Sequence, residues 1–289
     1  ITPLDVLCAT GTSYFGAPAL PYVPGVQGVG VVREGPADLL GCRVWFPTTV
    51  GMTAGDGALG PLAVASADEV VVIDADLPDT GVAALGLSAV AAWEVLERTA
   101  ALRAGERVIV LGAGGVVGQV AVQAARLLGA QRVVAAARSQ AARARAADCG
   151  ADAVVDLRAG EDAASLASRL RAACGGGADV VVDPLAGTPG TAGVLSLADG
   201  GRLVNLGSTA GPSLAVDSAA LRSRSAAVIG YTNNGLTATR RRDVLTTVLA
   251  HAAAGHIEVT HDVVGLEEAP AAWAEVAAGR APRRVVVSL

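Results

Sequence analysis

Aromatic side chains are scarce in this chain: three Trp, three Tyr and two Phe make up 3% of its 289 residues. Alanine and glycine dominate instead, which implies closely packed helices and sheets joined by many glycine turns. Charge is scarce as well. Charged residues are 17% against 52% hydrophobic, a balance that excludes intrinsic disorder and leaves ample material for a core. The net charge of −5, with basic residues scattered, excludes an electrostatic footprint for nucleic acid. Uninterrupted apolar runs are missing: no stretch of about 18 residues escapes Gly, Pro or polar interruption, which argues against a membrane-spanning helix. The four cysteines, Cys8, Cys42, Cys149 and Cys174, are far apart and form no CxxC. That spacing argues against a zinc ribbon or a disulfide framework and suits a reducing cytoplasm. No signal-peptide pattern is visible, although the chain starts at Ile1 without a methionine. His251, His256 and His261 stand five apart, outside the usual helical ligand spacing, and read as ordinary surface or core residues.

What is present falls into three textures. Residues 1–85 are rich in Gly, Pro, Val and Thr with short runs such as GVGVV and EVVVI, an irregular all-β pattern. Residues 86–231 alternate strand and helix patterns. Residues 232–289 hold a helix over 240–255, a shorter one over 266–278 and a final strand over 284–289. Six β-branched runs mark the middle section: RVIVL (107–111), RVVAA (132–136), AVVDL (153–157), DVVVD (179–183), RLVNL (202–206) and AAVIGY (226–231). They lack in/out alternation and most are separated by helical segments, so they predict a parallel sheet covered on both faces. Six such strands fit the two mononucleotide-binding halves of a Rossmann domain, in spatial order 3-2-1-4-5-6.

The first strand runs into LGAGGVVGQ and a helix in which Val116, Val120, Ala124 and Leu127 recur on one face. Gly112-x-Gly114 or Ala113-x-Gly115-x-x-Gly118 can phase this turn, and the second is preferred. Gly118 then lies in the first helical turn, where a missing side chain permits close helix–strand packing. Gly115 lets the backbone approach a pyrophosphate held at the positive helix N-terminus, beside Val116 and Val117. The second strand ends in AAARSQAAR (135–143). Where an NAD site usually places a carboxylate stands Ala137, followed by Arg138 and Ser139, with Arg143 one turn beyond. Arg138 and Arg143 suit a 2′-phosphate and Ser139 can donate a hydrogen bond to it, so NADP(H) is the expected cofactor. Both arginines also read as solvated helix residues in so Arg/Ala-rich a segment.

The whole chain resembles the medium-chain dehydrogenase/reductase superfamily, most closely its zinc-independent quinone oxidoreductase branch. The likeness is carried by TPLDV (2–6), PYVPGVQGVGVV (21–32), GCRVW (41–45), the glycine turn, DVVVDPLAG (179–187), GGRLVNLGSTAG (200–211) and the closing GRAPRRVVVSL. It implies an α/β protein in which a Rossmann NADP(H)-binding domain (86–231) is inserted in a GroES-like, β-rich catalytic domain (1–85 plus 232–289). It also implies nicotinamide contacts from Leu206, Gly207 and Ser208, and a second cofactor wall around Gly230, Tyr231 and Asn233. Zinc-dependent relatives carry metal ligands where this chain has Thr2, Val26 and Gln27, and Thr and Val are not credible ligands, so no metal is expected.

Without a Lewis acid the expected reaction is hydride transfer from NADPH to an already electrophilic small molecule, a quinone, enone or enal. An enoyl-thioester or other biosynthetic-intermediate reductase and a non-catalytic NADPH sensor are the alternatives. Tyr14 is the expected proton donor or substrate orienter, with rim packing equally compatible. Gln27 is expected either to contact substrate or to pack, and Asp5 to hold its loop. Ala91 replaces a family threonine near the nicotinamide, while Trp93 reads as core. Pairing through the sixth strand predicts a homodimer; neither membrane nor nucleic acid is an expected partner.

Overall fold

The computed structural model describes all of residues 1–289. The chain forms two compact units. One comprises Ile1–Leu87, Leu236–Ala254 and Val259–Leu289; the other comprises Ser88–Gly235 and Gly255–Glu258.

The first unit starts with helix α1 (Pro3–Ala9), followed by an antiparallel sheet of β1 (Gln27–Val31), β2 (Arg43–Pro47) and β3 (Val71–Val72) in that order. The all-β expectation for residues 1–85 is therefore corrected at its start. Thr2 caps α1, Pro3 occupies its first turn, and Thr2 and Asp5 form a reciprocal capping box, a local signal strong enough to wind seven residues. Much of the rest is loop, tied down by side chains. Asp56 accepts from Val23 N at 2.7 Å, and Arg43 donates to Asp79 Oδ1 at 2.5 Å, to Ala75 O at 3.3 Å and to Leu77 O.

Helix α2 (Asp79–Glu94) crosses the boundary between the units and continues as a π turn over Val95–Thr99. Asp79–Thr99 is the one helix long and apolar enough to cross a membrane, but 67% of its apolar window is buried and its backbone is broken at Gly86. It is a core helix.

The second unit is the six-stranded sheet. In chain order it contains β4 (Arg107–Leu111), α3 (Val116–Leu127), β5 (Arg132–Ala137), α4 (Gln140–Asp148), β6 (Ala153–Asp156) and α5 (Ala163–Cys174). It continues through β7 (Ala178–Asp183), α6 (Gly187–Leu195), β8 (Leu197–Asn205), α7 (Ser218–Arg224) and β9 (Ala227–Gly230). The strand order is β6-β5-β4-β7-β8-β9, all parallel, which is the 3-2-1-4-5-6 order expected. Val108 to Leu111 and Val133 to Ala137 are buried residue after residue, because helices cover both faces. One such face packs Ile109, Leu111, Val134, Val181 and Leu203 against Leu166 and Leu170 of α5. β8 begins five residues earlier than its apolar run. Leu197 pairs with Ala178, then residues 198–201 bulge out through Gly200 (φ +69°) before Arg202 pairs with Val180.

At the opposite end of the sheet from the glycine turn, Arg202 acts as a clamp. Its Nε donates to Ala100 O at 2.6 Å, and its terminal nitrogens take both carboxylate oxygens of Glu106 at 2.7 and 2.6 Å. Desolvation would raise the Glu106 pKa, but these bonds overcome it and the carboxyl lies below the ordinary range.

The chain ends back in the first unit with α8 (Ala238–Ala253), β10 (His261–Gly265), α9 (Ala269–Ala277) and β11 (Arg284–Ser288), β10 and β11 pairing in parallel. Arg241 of α8 is buried and salt-bridged to Glu69.

Candidate cofactor-binding site

The glycine turn leaves β4 at Gly112, whose φ of +63° few other residues adopt. Ala113 N donates to Ala136 O at 3.0 Å, bonding the turn to the end of β5. A Cβ on Gly118 would lie 2.4 Å from Ala113 Cα and 2.5 Å from Gly112 O, so α3 can approach the turn only with glycine here. Gly114 is equally constrained, by the Ala142 side chain at 2.3 Å. Gly115 differs. It is the N-cap of α3 with ordinary extended backbone (φ −84°), no side-chain cap, and only Gly112 O at 3.7 Å from where its Cβ would be. Nothing in the fold demands glycine at 115, and the space it leaves opens onto the first-turn N–H groups of Val116 and Val117, which have no intrahelical acceptor. In the Ala113-x-Gly115-x-x-Gly118 phasing, Gly118 is required by packing and Gly115 is not.

Two donors fix the Gly114 carbonyl, Gln119 Nε2 at 3.0 Å and Arg145 Nε at 3.3 Å. Sequence reading passed over Arg145, which lies one turn beyond Ala142 on the helix that packs against Gly114. At the end of β5 the three residues expected to read a 2′-phosphate part company. Arg138 is exposed and makes no ion pair. Ser139 caps α4, its Oγ accepting from Ala142 N at 3.1 Å, and keeps its hydroxyl hydrogen to donate. Arg143 turns away to Asp156 at 2.6 Å and to the Arg138 carbonyl at 2.8 Å. The carboxylate it meets, at the end of β6, was not foreseen.

The loops after β7 and β8 interlock around Asp183, a fully buried carboxyl at the end of β7. Its Oδ1 accepts from Leu185 N and Ala186 N, both at 2.9 Å, and its Oδ2 accepts from Asn205 Nδ2 at 2.9 Å. Burial pushes the Asp183 carboxyl above its ordinary pKa, with the bonds from Asn205, Leu185 and Ala186 opposing. The Asn205 amide reaches on to Gly207 O at 2.9 Å, and Leu206 N donates to Asp183 O at 2.9 Å. Gly207 lies so close to Pro184 that a Cβ there would stand 2.5 Å from its carbonyl oxygen. Ala186 holds φ 53° and ψ −147°, a strained conformation for a residue with a side chain. Leu206 and Gly207 are half-buried and Ser208 exposed. Tyr231 N bonds Asn205 O at 2.9 Å, and the Tyr231 hydroxyl donates to Asn233 Oδ1 at 2.7 Å. The residues expected after β8 and β9 thus belong to one bonded group, organised by an aspartate that sequence reading quoted without a role.

In the first unit, Asp5 is structural. Its Oδ2 accepts from Thr2 N at 2.6 Å and Thr2 Oγ1 at 2.8 Å, and its Oδ1 from Val26 N at 2.8 Å. Gln27 is occupied at both ends of its amide, Nε2 donating to Ala83 O at 2.9 Å and Oε1 accepting from Leu87 N at 2.6 Å. The substrate-contact reading of Gln27 gives way to a backbone role. Tyr14 is 80% exposed, its ring 4.4 Å from that of Phe15. It lies on a surface loop rather than against a wall of its own unit, and that exposure does not suit a held proton donor. The donor set does not fit zinc: Thr2 is spent on its cap, Val26 is apolar and buried, Gln27 is engaged, and no three His, Cys, Asp or Glu gather anywhere.

A doubly wound sheet with an uncapped glycine turn at its first strand, joined to a small β-rich unit, defines a dinucleotide-fold protein of the medium-chain type. Residues 116–269 match the zinc-binding dehydrogenase family. The chain belongs to that family, within the medium-chain dehydrogenase/reductase superfamily. Among solved structures it is similar to mycobacterial Rv1454c complexed with NADPH (26% identity, TM-score 0.87, 100% of this chain and 88% of that one). It is also similar to the Escherichia coli quinone oxidoreductase complexed with NADPH (22% identity, TM-score 0.86, 100% and 88%), a likeness of fold. Among curated proteins, 99% of the chain aligns at 33% identity with a phenolphthiocerol/phthiocerol polyketide synthase of Mycobacterium tuberculosis. A spectinabilin polyketide synthase system protein of Streptomyces orinoci is 36% identical over 56% of the chain. The alignments span only 13% and 8% of those proteins.

Proposed function

We infer that this chain is an NADPH-dependent reductase of activated carbon–carbon double bonds, with 2-enoyl thioesters as its substrate class. The observation that carries the substrate class is the alignment of 99% of the chain with one segment of a polyketide synthase. Such assemblies build acyl chains held as thioesters, and a reductase segment in them meets its acceptor as a thioester. The cofactor reading rests on Gly115, the open N–H groups of α3 and the unpaired Arg138. Val116 and Val117 N–H bind the pyrophosphate, Arg138 and Ser139 the 2′-phosphate, and Arg143 stays with Asp156. When bound, NADPH supplies a hydride. That hydride would go to the β-carbon of the alkene, and water would give a proton to its α-carbon. Leu206, Gly207 and Ser208, held by Asp183 and Asn205, orient the carboxamide of the ring, and Tyr231 with Asn233 walls it. No residue here acts as a Lewis acid, so the acceptor brings its own activation through the conjugated carbonyl.

Quinones and enones are the second reading, favoured by the neighbours described as quinone oxidoreductases. The test follows NADPH absorbance with crotonyl-pantetheine, 1,4-benzoquinone and a simple enone. Turnover fastest with the thioester supports the first reading, and turnover only with quinone replaces it by the second. Tight NADPH binding with no turnover at all indicates a sensor. Arg138→Ala is expected to raise the NADPH KM roughly 10- to 100-fold while leaving NADH use unchanged. Equal loss with both cofactors removes Arg138 from the 2′-phosphate site. We also place the chain in a reducing cytoplasm, where its four free thiols persist, and expect a second copy to pair along the edge strand β9, which sedimentation would reveal as a homodimer.

A further inference from the structure

Helix α2 is broken at Gly86 (φ 36°, ψ −135°), and the Gln27 side chain fills the break. In an unbroken helix Leu87 N–H would donate to Ala83 C=O, four residues back. Here the two groups are separated and one primary amide stands between them, its Nε2 2.9 Å from Ala83 O and its Oε1 2.6 Å from Leu87 N. A single side chain thus closes the first helical segment and opens the second. A Cβ at residue 86 would lie 2.1 Å from Gln27 Oε1, so the insertion also requires Gly86. Few side chains offer a donor and an acceptor in one plane at this reach. Neutral glutamine does so, and so does glutamic acid in its protonated form.

We propose that Gln27 is a positioning residue for the reaction: its inserted amide sets the backbone at Gly86 and Leu87, from which the helical segment carrying Ala91 starts. The family resemblance puts Ala91 beside the nicotinamide, so a shift of this segment should lower turnover rather than cofactor affinity. The kinetic part rests on the reductase reading; the insertion itself is readable without it.

Gln27→Met and Gln27→Glu test the proposal. Gln27→Met keeps the length and removes both bonds, so it should speed amide exchange at Leu87 and lower kcat, each about tenfold, with the NADPH KM within about twofold of wild type. In Gln27→Glu the protonated acid restores both bonds, its hydroxyl donating to Ala83 O and its carbonyl accepting from Leu87 N. The ionised form sets a negative oxygen against the Ala83 carbonyl, which raises its pKa above the ordinary value of about 4.3. Nothing titratable faces it from α2, where residues 83–87 are Ala, Ala, Leu, Gly and Leu, or from its β2 partner Pro47. The Asp5 carboxylate, bonded to the adjacent Val26 N, is offset by the Arg284 guanidinium and the Ile1 ammonium that face it. Activity and slow Leu87 exchange in this variant should therefore be near wild type in acid and fall as pH rises through that pKa, after allowance for the wild-type profile and intrinsic exchange. Unchanged Leu87 exchange in Gln27→Met overturns the proposal, as does a Gln27→Glu profile that parallels wild type or is uniformly depressed. Wild-type enzyme idle with every acceptor removes the reductase reading alone, and faster Leu87 exchange in Gln27→Met then still supports the inserted amide.

Discussion

The two units use opposite means to hold their chain. The second relies on apolar strands: Val108 to Leu111 and Val133 to Ala137 vanish into a sheet covered on both faces, and its polar contacts gather at the two ends. The first has little sheet, and polar side chains tether its backbone across long sequence separations: Asp5 to Val26, Asp56 to Val23, Arg43 to Ala75 and Leu77, Gln27 to Ala83 and Leu87. Burial is cumulative and tolerates many single changes of similar volume. A tether is a single bond between named atoms, and its loss leaves a buried group unsatisfied.

This contrast can be broken most severely where the sheet unit stops being forgiving. Gly118→Ala drives a methyl into backbone atoms at Ala113 and Gly112 that cannot step aside, and should destabilise the protein by about 3 kcal/mol or more, measured by urea unfolding. A change under about 1 kcal/mol would mean that the turn is compliant. Arg202→Ala removes the clamp on Glu106 and three backbone carbonyls, with an expected cost of about 3 kcal/mol at neutral pH. Because the Glu106 pKa is lowered in the folded state, its stabilisation is present above the unfolded value of about 4.3 and fades as pH falls through the folded one. The wild type should therefore lose stability faster than Arg202→Ala on acidification, and parallel curves would refute the clamp. Asp5→Ala, which cuts three tethers in the first unit, should cost about 2 kcal/mol and leave cofactor affinity alone. A shift in NADPH binding without a shift in stability would contradict its structural role. The smallest effect is expected from Tyr14→Phe, within about twofold in kcat, given its exposure. A loss of about tenfold or more would reinstate its phenol as the proton donor.

The same contrast explains what the sequence disclosed. The six strands of the second unit were legible because unbroken β-branched runs have few other readings, and their order followed from the α/β alternation. β8 began five residues before its run, since Ala198 to Gly201 bulge out of an otherwise continuous strand. The packing role of Gly118 in the glycine turn was legible because it falls in the first turn of the helix, against Ala113 and Gly112. In the first unit, α1 announced itself only through Thr2, Pro3 and Asp5, a three-residue signal lost among β-like runs. The insertion of Gln27 at Gly86, the turning of Arg143 to Asp156 and the grip of Asp183 on Asn205 left no trace in periodicity. They join residues 56, 13 and 22 apart, and such bonds depend on where the fold delivers each side chain.

Gly115 carries one more consequence. Its backbone suits any residue, its Cβ space is vacant, and a Ser, Thr or Asp there would cap α3 and stabilise the chain by roughly a few tenths of a kcal/mol. The helix start is thus less stable than its own geometry permits, and an anion bound at the proposed site would recover that deficit. Occupancy of this turn should therefore register as a rise in melting temperature, with bound phosphate serving as the cap that the sequence withholds.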